Sequence, residues 1–232
     1  MSTVQGSPGQ IVKFKGEVGS SLRVFEDKVE VLVGGFTFDK NDLPAPGDVL
    51  PCATPVYCDE AADARSITPF ITGRVASISG EDAKVVTFAN VGLVRPAFKV
   101  GSKVAIINST LTHEYQNTAA VGETPASYAF VTIVGYDGNV ATLDNELDSL
   151  SADDILVEVS EDETTHKATV KCVPNALLPY DKVYDENATI VYGDGCYTCL
   201  APVLERRCPP MTDAVKAALA AGGCTFKWSP RK

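Results

Sequence analysis

The chain has 232 residues, of which 45% are apolar and 22% charged, and a formal net charge of −10. That length suits one large or two small globular domains, and the composition argues against disorder. The acidic balance repels phosphate backbones and excludes bulk nucleic-acid binding as an expectation, and no run approaches the ~18 apolar residues needed to cross a bilayer.

Gly and Pro number 18 and 14, and Val, Ile and Thr recur throughout, so strands and turns are favoured over helices. The start, MSTVQGSPGQ, has no basic n-region and no apolar stretch of signal-peptide length. Seven cysteines, an odd count, then read as mostly reduced thiols in a chain made in a cytoplasm. Arg206, Arg207, Arg231 and Lys232 form a basic group near the C-terminus that suits an acidic partner.

Residues 1–20 read as an extended arm, with Ile11, Phe14 and Val18 as apolar points. Val29, Val31 and Val33 alternate with Lys28, Glu30 and Leu32, the pattern of a half-buried strand; Gly34-Gly35 turns the chain, and Phe36 and Phe38 share one face. DVLPCATPVYC predicts two very short strands. Pro51 and Pro55 cannot donate to a ladder, so these strands are expected at edges or as interrupted pieces. Asp59 to Arg65 reads as a turn or a single helical turn.

From Ile71 the alternation sharpens. A hairpin turns at Ser79-Gly80-Glu81-Asp82, a strand follows Gly101-Ser102, and a second hairpin turns at Tyr136-Asp137-Gly138-Asn139. Asn108 to Ser127 is a long polar loop. About six strands are expected between Ile71 and Val173, enough for a small closed barrel or sandwich. Beyond Val173 short Pro-rich strands return, with a strand, a Gly193-Asp194-Gly195 turn and a second strand. TDAVKAALAAGG predicts one helix, capped by Thr212 or Asp213 and stopped at Gly222-Gly223, before a final CTFKW strand. The expected organisation is a mostly-β protein: the arm, a discontinuous β-domain from 21–70 plus 174–232, and a β-barrel or sandwich module inserted at 71–173.

No catalytic constellation stands out. Cys196-Tyr-Thr-Cys199 is a CxxC, and with Cys208 and Cys224, or Cys52 or Cys58, it has enough thiols for a structural zinc. A redox CxxC usually opens a helix, whereas this one follows a glycine turn into a strand, so cysteines packed on a strand are the plainer reading. His113 and His166 fit no metal or nucleophile motif and read as surface residues. Glu161-Asp162-Glu163 reads as a solvated hairpin tip. Asp144, Glu146 and Asp148 alternate but lack the glycine turn of a calcium loop. Asn108-Ser-Thr and Asn187-Ala-Thr match the glycosylation acceptor pattern, by chance if the chain is not secreted.

The segment LPAPGDVLPCATPVYCDE, and the later NALLPYDKVYDENATIVYGDGCYTCLAPVLERRCPPMTDAVKAAL, resemble tailed-phage capsid decoration and head-fibre proteins. The later segment resembles the C-terminal part of the head-fibre type, in which short strands lead to a Pro-rich turn, a short helix and a last apolar strand, here Pro209-Pro210, Thr212 to Leu219 and Cys224 to Trp228. The resemblance implies a non-enzymatic virion structural protein, homo-oligomeric and trimeric by preference, without cofactors. It would bind the major capsid protein at the outer capsid surface and stabilise the shell. On that reading Phe14, Val24, Phe25, Phe36 and Phe38 are the first interface candidates. A second expectation is a glycan or host-surface binding β-module of a tail fibre or baseplate component, with Tyr115 and Tyr128 of the long loop as stacking rings. A third, an enzyme using the cysteines, lacks any supporting geometry in the sequence.

Overall fold

The computed structural model describes residues 24–25, 28–32, 35–61, 65–80, 83–92, 94–119, 126–188 and 190–229. The arm at 1–20, with Phe14, lies outside the described residues, as do Val33, Gly34, Arg231 and Lys232. The protein is mostly β with one short helix.

The first strands are short: β1 (Val29–Val31), β2 (Phe36–Phe38), β3 (Val49–Leu50), β4 (Pro55–Asp59) and β5 (Ser66–Pro69). The middle of the chain supplies β6 (Thr72–Ser79), β7 (Val85–Phe88), β8 (Lys103–Ile106), β9 (Tyr115–Gln116), β10 (Phe130–Asp137), β11 (Val140–Leu143), β12 (Ile155–Asp162) and β13 (Lys167–Val170). Short strands then return as β14 (Ala176–Leu177), β15 (Lys182–Val183), β16 (Tyr192–Gly193) and β17 (Cys196–Cys199), followed by helix α1 (Asp213–Ala221).

The middle strands close on themselves. Antiparallel pairings run β6-β7-β11-β10-β8-β12 and return from β12 to β6, making a barrel-like ring that β13 and β9 extend. Closing so small a ring requires strands that bend. The register of β6 shifts between Val75 and Ser77, and that of β10 between Ile133 and Gly135. These bulges let each eight-residue strand pair with one neighbour in its first half and another in its second. Both predicted hairpins form, β6–β7 and β10–β11, and Gly80 and Gly138 take the positive φ their turns need. Inside sit Val75, Phe88, Phe98, Val104, Ile133, Leu143 and Leu156.

The other strands form a seven-stranded sheet in the order β1-β17-β14-β4-β5-β2-β16, and β15 with β3 makes a separate ribbon. The sheet draws only on residues 29–69 and 176–199, and the barrel sheet only on 72–170. The apolar core is not partitioned in the same way. Phe36, Phe38, Val56 and Ile67 of the seven-stranded sheet belong to one packed cluster with the barrel interior. A second cluster joins the outer barrel face, Val157, Val159 and Ala168, to Cys196, Cys199 and α1. Thr72 ties the two further, its buried hydroxyl donating to the Pro210 carbonyl at 2.7 Å.

Three expectations are corrected here. β4 is an interior strand, flanked by β14 and β5, and Pro55 is tolerated because it occupies the first position. The segment around Gly193-Asp194-Gly195 is no hairpin: β16 pairs with β2, and β17 with β1 and β14. Neither glycine has positive φ. They are small because a Cβ at Gly193 would collide with the Phe38 ring, and one at Gly195 would lie 2.5 Å from the Cys58 sulfur. The CTFKW segment makes only isolated bridges, Thr225 with Thr198 and Trp228 with Val203. The helix is as expected: the Thr212 hydroxyl accepts from the Val215 N–H, and Gly222 and Gly223 end it.

Candidate functional site

The CxxC is explained by strand geometry. Cys199 lies opposite Val29 and Cys196 opposite Val31, with Tyr197 bulged out between them. The bulge returns the two thiols to one face despite their odd spacing, and both are buried in the same cluster with Cys208 and Cys224. Burial pushes the thiols of Cys52, Cys58, Cys172 and Cys196 up to about 12, and that of Cys224 to about 11. A thiol nucleophile must be a thiolate, and at neutral pH burial keeps these thiols protonated. The Cys224 thiol instead donates to the Asn175 carbonyl at 2.9 Å. Among the described residues no group of three or more His, Cys, Asp or Glu side chains is arranged to hold a metal ion, so Cys196, Cys199, Cys208 and Cys224 are not drawn together as a ligand set.

The described residues among those singled out as interface contacts are used internally. Val24, Phe25, Phe36 and Phe38 are all buried, Phe36 completely. Alternation identified an apolar face correctly, but that face packs on the chain itself. The expected stacking rings are also occupied. Tyr115 is buried, its hydroxyl accepts from the Asn108 N–H at 3.1 Å, and its ring meets His113 edge-on. Tyr128 is half-buried against the barrel core. Of that loop, residues 120–125 lie outside the described residues.

The large apolar side chains that do reach solvent concentrate late in the chain. Tyr180, Val183, Ile190, Tyr192 and Leu200 are exposed, Leu200 by 73%. Tyr192 lies on β16, the last strand of the seven-stranded sheet, whose outer edge is unpaired among the described residues. No periodicity marks this stretch in sequence, because β15 and β16 are each two residues long.

A cleft of about 370 Å³ opens where the loop before β3 faces the segment before β8. Residues 43–46 form one wall and Arg95, Lys99 and Val100 the other, with Lys40, Tyr136 and Tyr184 completing the lining. Its polar groups are fixed. The Arg95 guanidinium donates to the Gly138 carbonyl at 2.8 Å, pairs with Asp48, and lies 4.6 Å from the Tyr136 ring centroid. The Tyr136 hydroxyl donates to the Pro96 carbonyl at 2.7 Å, and burial pushes its phenol up. The Lys99 ammonium donates to the carbonyls of Asn41 and Leu43. Lys40 is exposed and makes no ion pair among the described residues.

Behind the cleft lies a buried charge cluster. Glu158, on β12, is 4% exposed and accepts a 2.8 Å hydrogen bond from the Ser102 hydroxyl. Lys171 lies 3.3 Å from the other Glu158 oxygen, an ion pair without hydrogen-bond alignment, and 2.9 Å from Asp42. Burial alone would lower the Lys171 ammonium, but the two carboxylates outweigh it and hold it above the ordinary lysine range. The cluster pins the Lys40–Asp42 turn of the cleft wall to the barrel. No protein-family model, curated protein or solved structure matches this chain at a significant level.

Proposed function

We propose that this chain is a non-enzymatic virion structural protein, seated on the outer capsid surface as a decoration or head-fibre protein and working as a homo-oligomer, a trimer by preference. The observation that carries the reading is the set of exposed apolar side chains between Tyr180 and Leu200, of which Tyr192 stands on the open β16 edge. Exposed apolar groups offer anchors for attachment, and an open strand edge adds main-chain pairing. The resemblance of the two flanking segments supplies the class of partner, the major capsid protein. Co-sedimentation with capsids stripped of this protein tests the reading, together with light scattering of the free chain. The expected result is a trimer that co-sediments, with Tyr192→Lys and Leu200→Asp each weakening attachment at least about tenfold, as loss of an interface anchor does. A monomer without affinity for capsids overturns it.

A second reading, a glycan or host-surface binding module of a tail fibre or baseplate component, is favoured by a different observation, the cleft lined by Arg95, Lys99, Lys40 and two tyrosines.

A further inference from the structure

We propose that the Arg95–Lys99–Tyr136 cleft is a binding site for an acidic saccharide, a pyranose carrying a carboxylate. The inference rests on the second reading above and is independent of capsid attachment.

Charge is the first argument. The chain carries 30 acidic and 20 basic residues, yet the cleft lining holds Lys40, Arg95 and Lys99 and no acid. Asp48, bonded to Arg95 from outside the lining, offsets one of the three charges and leaves the cleft cationic. On an acidic surface a cationic recess steers an anion to itself.

Preorganisation is the second. Arg95 is held on three sides, by Gly138, Asp48 and the Tyr136 ring, and still has N–H donors to spare. Lys99 is anchored on two carbonyls across the cleft and retains a donor. Fixed donors lose little entropy on binding, and a guanidinium fork matches a carboxylate.

Shape and apolar lining are the third. About 370 Å³ falls within the range of small-molecule sites, toward the lower end. Leu43, Pro44, Pro46, Val100 and Tyr184 offer apolar surface for the C–H face of a sugar ring. A bare inorganic anion would leave that surface unused. An acidic peptide would need an extended groove, and the lining comes from short segments around a single recess.

Calorimetric titration of the full chain with sialyllactose and digalacturonic acid tests the proposal, with lactose, inorganic phosphate and oligoglutamate as comparisons. At least one acidic sugar is expected to bind at millimolar concentration or below, with lactose at least about tenfold weaker, the cost of losing a charge-assisted contact. Lys40→Ala, at an exposed position with no side-chain hydrogen bond or ion pair among the described residues, is expected to weaken binding about twofold to fivefold, in line with one partly solvated charge. Val100→Trp, which fills the mouth, is expected to abolish it while leaving the melting temperature in place. Binding unchanged in both variants overturns the placement. Phosphate or oligoglutamate binding as tightly as the sugars overturns the ligand class. Lactose binding as tightly as sialyllactose overturns the acidic requirement but leaves a glycan module standing. No binding by any sugar removes the inference and the second reading together, with capsid attachment unaffected.

Discussion

The barrel and the seven-stranded sheet are held together by different means. The barrel uses three eight-residue strands, β6, β10 and β12, and closes its own ladder, so its backbone groups satisfy one another. The seven-stranded sheet uses strands of two to five residues and relies on side chains and thiols to finish what the ladder leaves open. Asn175 shows how. β14 ends opposite Val56, and the Asn175 amide then stands in for a further strand residue: its oxygen accepts from the Cys58 N–H at 2.8 Å and its nitrogen donates to the Cys58 carbonyl at 3.0 Å. Long alternating strands make a unit robust to local change, whereas short interrupted ones concentrate stability in a few irreplaceable groups.

Alkali should separate the two regions most strongly. The five thiols pushed up by burial lie in or beside the seven-stranded sheet, at 52, 58, 172, 196 and 224, and none lies in the barrel ring. In the unfolded chain a thiol ionises near pH ~8.5, whereas in the folded chain it keeps its proton to higher pH. The unfolded state thus binds fewer protons across that window, and stability falls as pH rises through it. The stability is fully present below the ordinary thiol pKa and is lost toward pH 11 to about 12. Melting temperature should be flat from neutral to about pH 8 and drop steeply above about pH 9. Hydrogen exchange should show the sheet opening before the barrel; simultaneous opening would mean that the shared core makes one cooperative unit.

Among substitutions, Phe88→Ala should cost about 3–5 kcal/mol, as large-to-small changes of fully buried aromatics do. Phe88 is completely buried against Phe98 and meets Tyr136 edge-on. Denaturant unfolding measures it, and a loss below ~1 kcal/mol would mean that the barrel interior collapses to fill the space. Lys171→Met should cost about 3 kcal/mol, because it leaves buried Glu158 without its cation. The double variant Lys171→Met/Glu158→Gln should recover part of that loss, and no recovery would deny the pairing.

Asn175→Ala should cost about 2–3 kcal/mol by leaving the Cys58 N–H and carbonyl unpartnered on one side. Asn117 makes the same two bonds to Phe130 beside the barrel, to the N–H at 3.1 Å and to the carbonyl at 2.9 Å. If the barrel ladder tolerates local loss, Asn117→Ala should cost less than Asn175→Ala, and equal costs would erase the contrast. Smallest is Thr212→Ala, about 1 kcal/mol for a lost helix cap, read as a shift of the denaturation midpoint.

The fold is legible in the sequence where the signal is local. Hairpin turns at Gly80 and Gly138 announce themselves because only certain residues accept those backbone angles, and the helix is framed by a capping threonine and two glycines. The fold is not legible where the outcome depends on what an apolar face packs against. Phe36 and Phe38 share a face on any reading, but whether that face meets solvent, a partner or the chain's own barrel is not a property of the stretch itself. The cleft escaped for a related reason: Lys40, Arg95, Tyr136 and Tyr184 are far apart in sequence and belong to no motif.

Sequence alone determined the mostly-β class, the hairpins, the helix and the return of short Pro-rich strands after Val173, because each follows from side-chain periodicity or backbone preference within a few residues. Tertiary structure decided that Tyr197 bulges so that two cysteines share a face, that glycines 193 and 195 make room for Phe38 and Cys58, and that three cations gather in one recess of an acidic protein. Those outcomes depend on which distant segments meet, and long-range contact is set by the packing of the whole chain.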